Sequence, residues 1–138
     1  MRVVDSSAVL AVLLRERNAS GVFKAIEQES TLLAPALLPY EIANALQVAV
    51  RRKRMLPEAV DRCIAHHLQL PWAFEMQTSE LRLAAIGRLA RSHGLTAYDA
   101  AYLELALHRA CPIVSLDESL RAAARKEHVE VLPARVAA

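Results

Sequence analysis

Residues 1–10 read "MRVVDSSAVL". A short β-branched run, Val3-Val4, stops at Asp5; two serines follow, and then a second apolar stretch begins. Such a run, closed by a carboxylate and followed by helical spacing, reads as a buried strand leading into a helix. Asp5 has two readings at this junction. As a helix N-cap it accepts bonds from free backbone N–H groups; as the first member of a site it holds a ligand at the end of a strand.

The alternation repeats along the chain. Strand patterns fall at residues 2–5, 31–34, 73–75, 113–115 and 129–132. Helical patterns fill the intervals at 7–16, 20–29, 39–52, 57–70, 79–93, 97–109 and 118–126. Pro39 and Pro57 suit first helical turns, where a missing N–H costs nothing. Gly94 after His93 suits a left-handed terminator, and Pro112 prevents the preceding helix from continuing. Val4, Ile113 and Val114 sit in short apolar runs of the kind buried on both faces of a parallel sheet. The expected fold is α/β, a three-layer α/β/α sandwich around a central parallel sheet of about five strands, joined by right-handed crossovers.

With 138 residues, one domain spanning 1–138 is expected. The hydrophobic share is 54% and the aromatic share 4%, so the core is aliphatic. Mean hydropathy of +0.20 is high for a soluble chain; an alanine-rich core and a partner-covered surface both account for it. No stretch approaches the ~20 apolar residues of a membrane span. The opening residues lack the segments of a signal peptide. Cys63 and Cys111 are far apart and expected to be reduced, buried thiols. The expectation is a cytoplasmic protein with no membrane association.

Three further acids share the kind of place that Asp5 occupies. Glu41 lies in the first turn of a helix in "PYEIANAL", Asp99 lies three residues after Thr96 in "LTAYDAAYLELA", and Asp117 follows a strand in "PIVSLDESL". Singly, each is explained as a cap, half of a capping box, or a charge complementing a helix dipole, worth about 0.3–2 kcal/mol. Jointly, acids after the first and fourth strands open on the carboxyl edge of a parallel sheet, where ligands bind. Convergence of the other two cannot be read from spacing. Two carboxylates ~5 Å apart repel by about 3 kcal/mol at an effective dielectric near 20. A converging cluster therefore takes up protons or binds cations. An all-oxygen set suits Mg²⁺ or Mn²⁺, ions able to promote phosphodiester hydrolysis.

These segments resemble the PIN-domain ribonucleases, most closely the compact VapC-type toxins of toxin–antitoxin pairs. "VVDSSAVL" is similar to the family's opening D-x-S-A segment, "YEIANAL" to its E-x-x-N-A-L helix, and "IVSLDESL" to its [TS]-x-D turn; "LTAYDAAYLELA" is the most distinctive match. The resemblance covers nearly the whole chain and implies a Mg²⁺- or Mn²⁺-dependent endoribonuclease. By position it implies an acidic quartet of Asp5, Glu41, Asp99 and Asp117 that binds the metal and carries catalysis. Ser7 would orient Asp5, Asn44 would face the same pocket, and Ser115 would support Asp117 or the substrate phosphate; ordinary turn chemistry also explains the two serines. The resemblance also implies a homodimer, and a heterotetramer or larger assembly with a small cognate antitoxin. The antitoxin would lie over apolar grooves of the early helices.

Lys and Arg number 17 and Asp and Glu 15. With the four site acids set aside, 17 positive charges face 11 negative ones, so the rest of the chain carries +6. That suits an RNA backbone. The densest patch, Arg51-Arg52-Lys53-Arg54, is a solvated helix end, an RNA contact or a contact to an acidic partner. Adjacent His66 and His67 point about 100° apart on a helix and cannot easily share an ion; surface or partial burial is expected. Trp72 is assigned to the core, and Tyr98 and Tyr102, on one helical face, to the core or a dimer contact. Two rival functions are a catalytically silent PIN scaffold and a Mg²⁺-binding receiver domain. The receiver requires adjacent acids after the first strand and a lysine after the last, and both are missing here.

Overall fold

Val3 and Val4 are completely buried, because the strand they form has a neighbour on each side and helices above and below. The structure is a computed structural model and describes residues 1–137. In chain order the elements are β1 (Arg2–Val4), α1 (Ser6–Leu13), α2 (Ala19–Ile26), β2 (Leu32–Pro35), α3 (Leu38–Arg51), α4 (Pro57–Leu68), β3 (Trp72–Glu75), α5 (Glu80–His93), α6 (Ala97–Arg109), β4 (Ile113–Val114), α7 (Glu118–Lys126) and β5 (Val131–Leu132).

The five strands form one parallel sheet in the order β3-β2-β1-β4-β5. Val3 is in register with Leu33 on one side and Ile113 on the other. The chain builds outward from β1 through β2 to β3, then returns past β1 to β4. The order therefore reverses between β1 and β4, which places the switch point of the open sheet there. A receiver-type sheet runs 2-1-3-4-5, so the topology agrees with the sequence in setting that rival aside.

α1 packs on α2, α3 and α4, while α6 packs on α5, α7, β1, β2 and β4. Right-handed crossovers put the first group on one face and the second on the other. The aliphatic core lies between them and includes Leu32, Leu38, Ile42, Leu46, Leu103 and Leu105. Local signals end the helices as expected. Pro39 and Pro57 lie in the first turns of α3 and α4, and Gly94 caps α5 at φ +63°.

Burial differs in degree from expectation at four residues. Trp72 packs against the core as expected but is only half-buried, because β3 is an edge strand; its ring stacks on Phe74 at 5.6 Å. His67, by contrast, is buried, at 3% exposure. It lies in the last turn of α4, its ring 5.2 Å from that of Trp72, and its carbonyl accepts the Trp72 indole N–H at 2.9 Å. Cys63 and Cys111 are free thiols, half-buried rather than buried.

Candidate active site

The junction that opened the sequence is built from four side chains. Asp5 caps α1: its Oδ1 accepts the Ala8 N–H at 3.0 Å and the Ser7 hydroxyl at 2.7 Å. Its Oδ2 accepts the Ser115 hydroxyl at 2.6 Å. Ser115 follows β4, and its Oγ accepts the Asp117 N–H at 3.1 Å; the Ser7 Oγ accepts the Leu116 N–H at 2.9 Å. The two serines thus stitch the ends of β1 and β4 together across the switch point. Asp117 caps α7, accepting the Leu120 N–H at 2.7 Å. Asp5 and Asp117 are each a helix cap, and each stands at the carboxyl edge of the sheet.

Glu41 and Asp99 approach from the helical layers. Glu41, in the first turn of α3, accepts the Tyr102 hydroxyl at 2.5 Å, and the Ser6 hydroxyl bonds it as well. Asp99, in the first turn of α6, donates its N–H to Thr96 Oγ1 at 3.1 Å, which makes half of the expected capping box. Electrostatics tie the group together. Asp117 acts on both Asp5 and Asp99, and Asp99 acts on Glu41.

Burial pushes the Asp5 carboxyl up to about 6; bonds from Ser115, Ser7 and the Ala8 N–H oppose the rise, and the Asp117 charge adds to it. Burial likewise raises Glu41, with Asp99 repelling and the Tyr102 and Ser6 hydroxyls opposing. Asp99 is raised by burial and then by Asp117. Among the described residues none of the four carboxylates forms an ion pair. Glu104 is the contrast. It is buried at 6% exposure, and Arg82 grips both its oxygens at 2.9 and 2.8 Å. Asp5 is buried at 3% with no such partner. Arg121 feels the Asp5 charge, but its guanidinium is committed to the carbonyls of Ser115 and Pro133 at 2.7 and 2.8 Å.

The donors available to a cation are carboxylate and hydroxyl oxygens. Among the described residues no three acids, histidines or cysteines gather tightly enough to cage an ion. Mg²⁺ is commonly bound through one or two carboxylates, with water and substrate phosphate completing its shell. Asp5 carries the fit: a buried carboxylate, repelled by Asp117 and with no Lys, Arg or His paired to it among the described residues.

The other expected residues divide. Ser7 bonds Asp5; Ser115, expected at Asp117 or the substrate phosphate, accepts the Asp117 N–H and also donates to Asp5, a partner not expected. Asn44 is exposed on α3, and no hydrogen bond joins it to the acids among the described residues. Arg51, Arg52, Lys53 and Arg54 are exposed at the far end of α3. Arg51, the last residue of α3, lies about 15 Å along the helix axis from Glu41, at 1.5 Å per residue, and Arg52, Lys53 and Arg54 follow it. Sequence reasoning missed Ser6 and the role of Tyr102. Tyr102 is 1% exposed, whereas Tyr98 is 66% exposed, so the pair does not share an environment. The available signal was the three-residue step from Asp99 to Tyr102, which puts both on one face of a helix.

The pattern of the PIN domain matches residues 2–126, a span that contains all four acids. The chain belongs to the PIN-domain family. Ribonuclease VapC3 of Pyrobaculum aerophilum is 30% identical over 118 residues, which cover 86% of this chain and 90% of the relative. The crystal structure of PAE2754, also from Pyrobaculum aerophilum, superposes with a TM-score of 0.66 at 28% identity, covering 88% of this chain and 84% of that one. Mycobacterium tuberculosis VapC20, described as a sarcin–ricin-loop-cleaving toxin, shares the fold at a TM-score of 0.64 and 16% identity, over 89% of this chain and 95% of that one. The PIN sheet and its VapC-type relatives agree with the expected three-layer architecture.

Proposed function

We propose that this PIN domain is the ribonuclease toxin of a toxin–antitoxin pair, hydrolysing RNA phosphodiesters with Mg²⁺ or Mn²⁺ held at Asp5, Asp99, Glu41 and Asp117. The observation that carries this reading is Asp5, buried at the switch point with hydrogen bonds but no cation, while the other buried acid, Glu104, is paired. A bound divalent ion supplies Lewis acidity, polarising a phosphoryl oxygen and easing loss of a proton from water.

The protein's own residues do the rest. Ser7, Ser115 and the Ala8 N–H fix both oxygens of Asp5. Asp99 and Asp117 add negative charge at helix N-termini, so the approaching phosphate is admitted only with a cation. Lys and Arg in excess elsewhere on the chain offset the phosphate charge at longer range.

The antitoxin reading has support in a groove of about 930 Å³ between the end of α1, the second half of α3 and α4. Its floor includes Val12, Leu13 and Val48, and Arg52, Arg54 and Arg62 stand on its rim. An apolar peptide segment flanked by acids complements that surface. Leu81 and Leu83 of α5 are 83% and 59% exposed, which supports a homodimer as the free form. No helix among the described residues is long and apolar enough to cross a membrane.

The test is incubation of the purified, antitoxin-free chain with total RNA in Mg²⁺, Mn²⁺ or chelator. Cleavage that requires the ion is expected. Cleavage persisting in chelator, or none with any ion, rejects the reading; RNA binding without cleavage favours the silent scaffold.

A further inference from the structure

We infer that Tyr102 is the positioning residue of the site: its hydroxyl, reaching from α6 across the carboxyl edge of the sheet to α3, sets the spacing of Glu41 from Asp99 and thereby the affinity for a divalent cation. This rests on the proposed metal-dependent site and extends it to a residue outside the acidic quartet.

α3 packs on α1 and α4, and α6 packs on α5 and α7, so the two helices belong to opposite layers. The Tyr102 Oη–Glu41 Oε1 bond, at 2.5 Å, joins one layer to the other. Tyr102 is 1% exposed, so its ring is fixed by packing and its hydroxyl has one direction to point. Asp99 and Tyr102 are one helical turn apart and share a face of α6. One rigid turn therefore carries one carboxylate and grips another. The buried phenol is the donor of this bond and Glu41 the acceptor. Ser6 braces the same carboxylate from the start of α1. The serine pair after Asp5 is thus divided, Ser6 serving Glu41 and Ser7 serving Asp5.

Tyr102→Phe removes this bond and keeps the ring. Partners that orient metal ligands typically contribute about 10–100-fold in affinity or activity. We expect Mn²⁺ binding to the intact chain, read from the electron paramagnetic resonance signal of free Mn²⁺, to weaken about tenfold. The Mn²⁺ concentration for half-maximal RNA cleavage should rise by the same factor, with KM for RNA unchanged. In a Glu41→Gln background the Tyr102→Phe effect on Mn²⁺ binding should disappear, since the phenol acts through Glu41. Ser6→Ala, at the rim of the core, should weaken Mn²⁺ binding in the same direction even where Tyr102→Phe folds poorly by circular dichroism.

Mn²⁺ affinity unchanged in both Tyr102→Phe and Ser6→Ala, against a parent that binds Mn²⁺, overturns the positioning role and leaves the site intact. An effect that persists undiminished in Glu41→Gln also overturns it. A parent that binds no Mn²⁺ and cuts no RNA overturns the metal site itself, and this inference with it.

Discussion

Asp5 and His67 are both buried without an ion-pair partner, and their titrations move stability in opposite directions. Asp5 has its carboxyl raised from 3.8 to about 6 in the folded chain, so the fold binds this proton more tightly than the unfolded chain does. In chelator the stability that this proton brings is fully present below about 4 and is lost as pH rises through 6, the loss by neutral pH being about 3 kcal/mol. Asp5→Asn keeps an oxygen for the Ala8 N–H and removes the charge. Urea unfolding in chelator should show this variant more stable than the parent at pH 7 by about 1–3 kcal/mol, while added Mn²⁺ stabilises the parent alone. Equal stability at pH 7 would mean that burial exacts no cost at Asp5. His67 has the opposite sign. Burial lowers its pKa, and neither ring nitrogen has a hydrogen-bond partner among the described residues. The unfolded chain therefore takes up this proton first, and stability falls as pH drops below about 6.5. His67→Phe should abolish that loss. Trp72, the single tryptophan, has its ring 5.2 Å from His67; the urea midpoint read from its emission should fall as pH drops below about 6.5 in the parent and not in the variant.

Between elements, the strongest polar joint lies away from the site. Arg82 of α5 bonds Glu104 of α6 and also reaches Glu75 at the end of β3, at 3.1 Å; Arg109 at the end of α6 holds the other oxygen of Glu75, at 2.9 Å. Arg82→Ala strands the Glu104 charge inside the protein. A loss of about 3–5 kcal/mol is expected, read as a lower urea midpoint, and adding Glu104→Gln should restore a large part of it. An unchanged midpoint in Arg82→Ala would show that water reaches Glu104 freely. The elements themselves were legible because their boundaries are written in local chemistry. Pro39, Pro57 and Gly94 act on their own backbone, and Asp5 and Asp117 on N–H groups three residues away. What was not legible depends on neighbours distant in sequence. Trp72 is half-buried because β3 is an edge strand, and His67 is buried because its ring meets Trp72. Tyr102 could be assigned to an interior from its helical face, but its Glu41 partner is 61 residues away.

For the molecule as a whole, strand order turns scattered acids into neighbours. Asp5 and Asp117 are 112 positions apart, and they meet because β1 and β4 pair directly. Periodicity marks strands but not their order, so the sequence could place acids at strand ends without placing those ends side by side. The same distribution separates acidic site from basic patch. Glu41 and Arg51–Arg54 occupy opposite ends of α3, and Arg52 and Arg54 border the apolar groove rather than the acids. If that groove is the partner's seat, reversing the two charges leaves the isolated nuclease intact. For Arg52→Glu/Arg54→Glu, RNA cleavage by the free chain should stay within about twofold of the parent, with the same dependence on ionic strength. Each single-stranded phosphate that a cation no longer neutralises makes the slope of log affinity against log salt shallower by about 0.7. A slope shallower by more than about 1 would place RNA on these arginines. An unchanged slope leaves them to the groove, where an acidic segment is the occupant their charge selects.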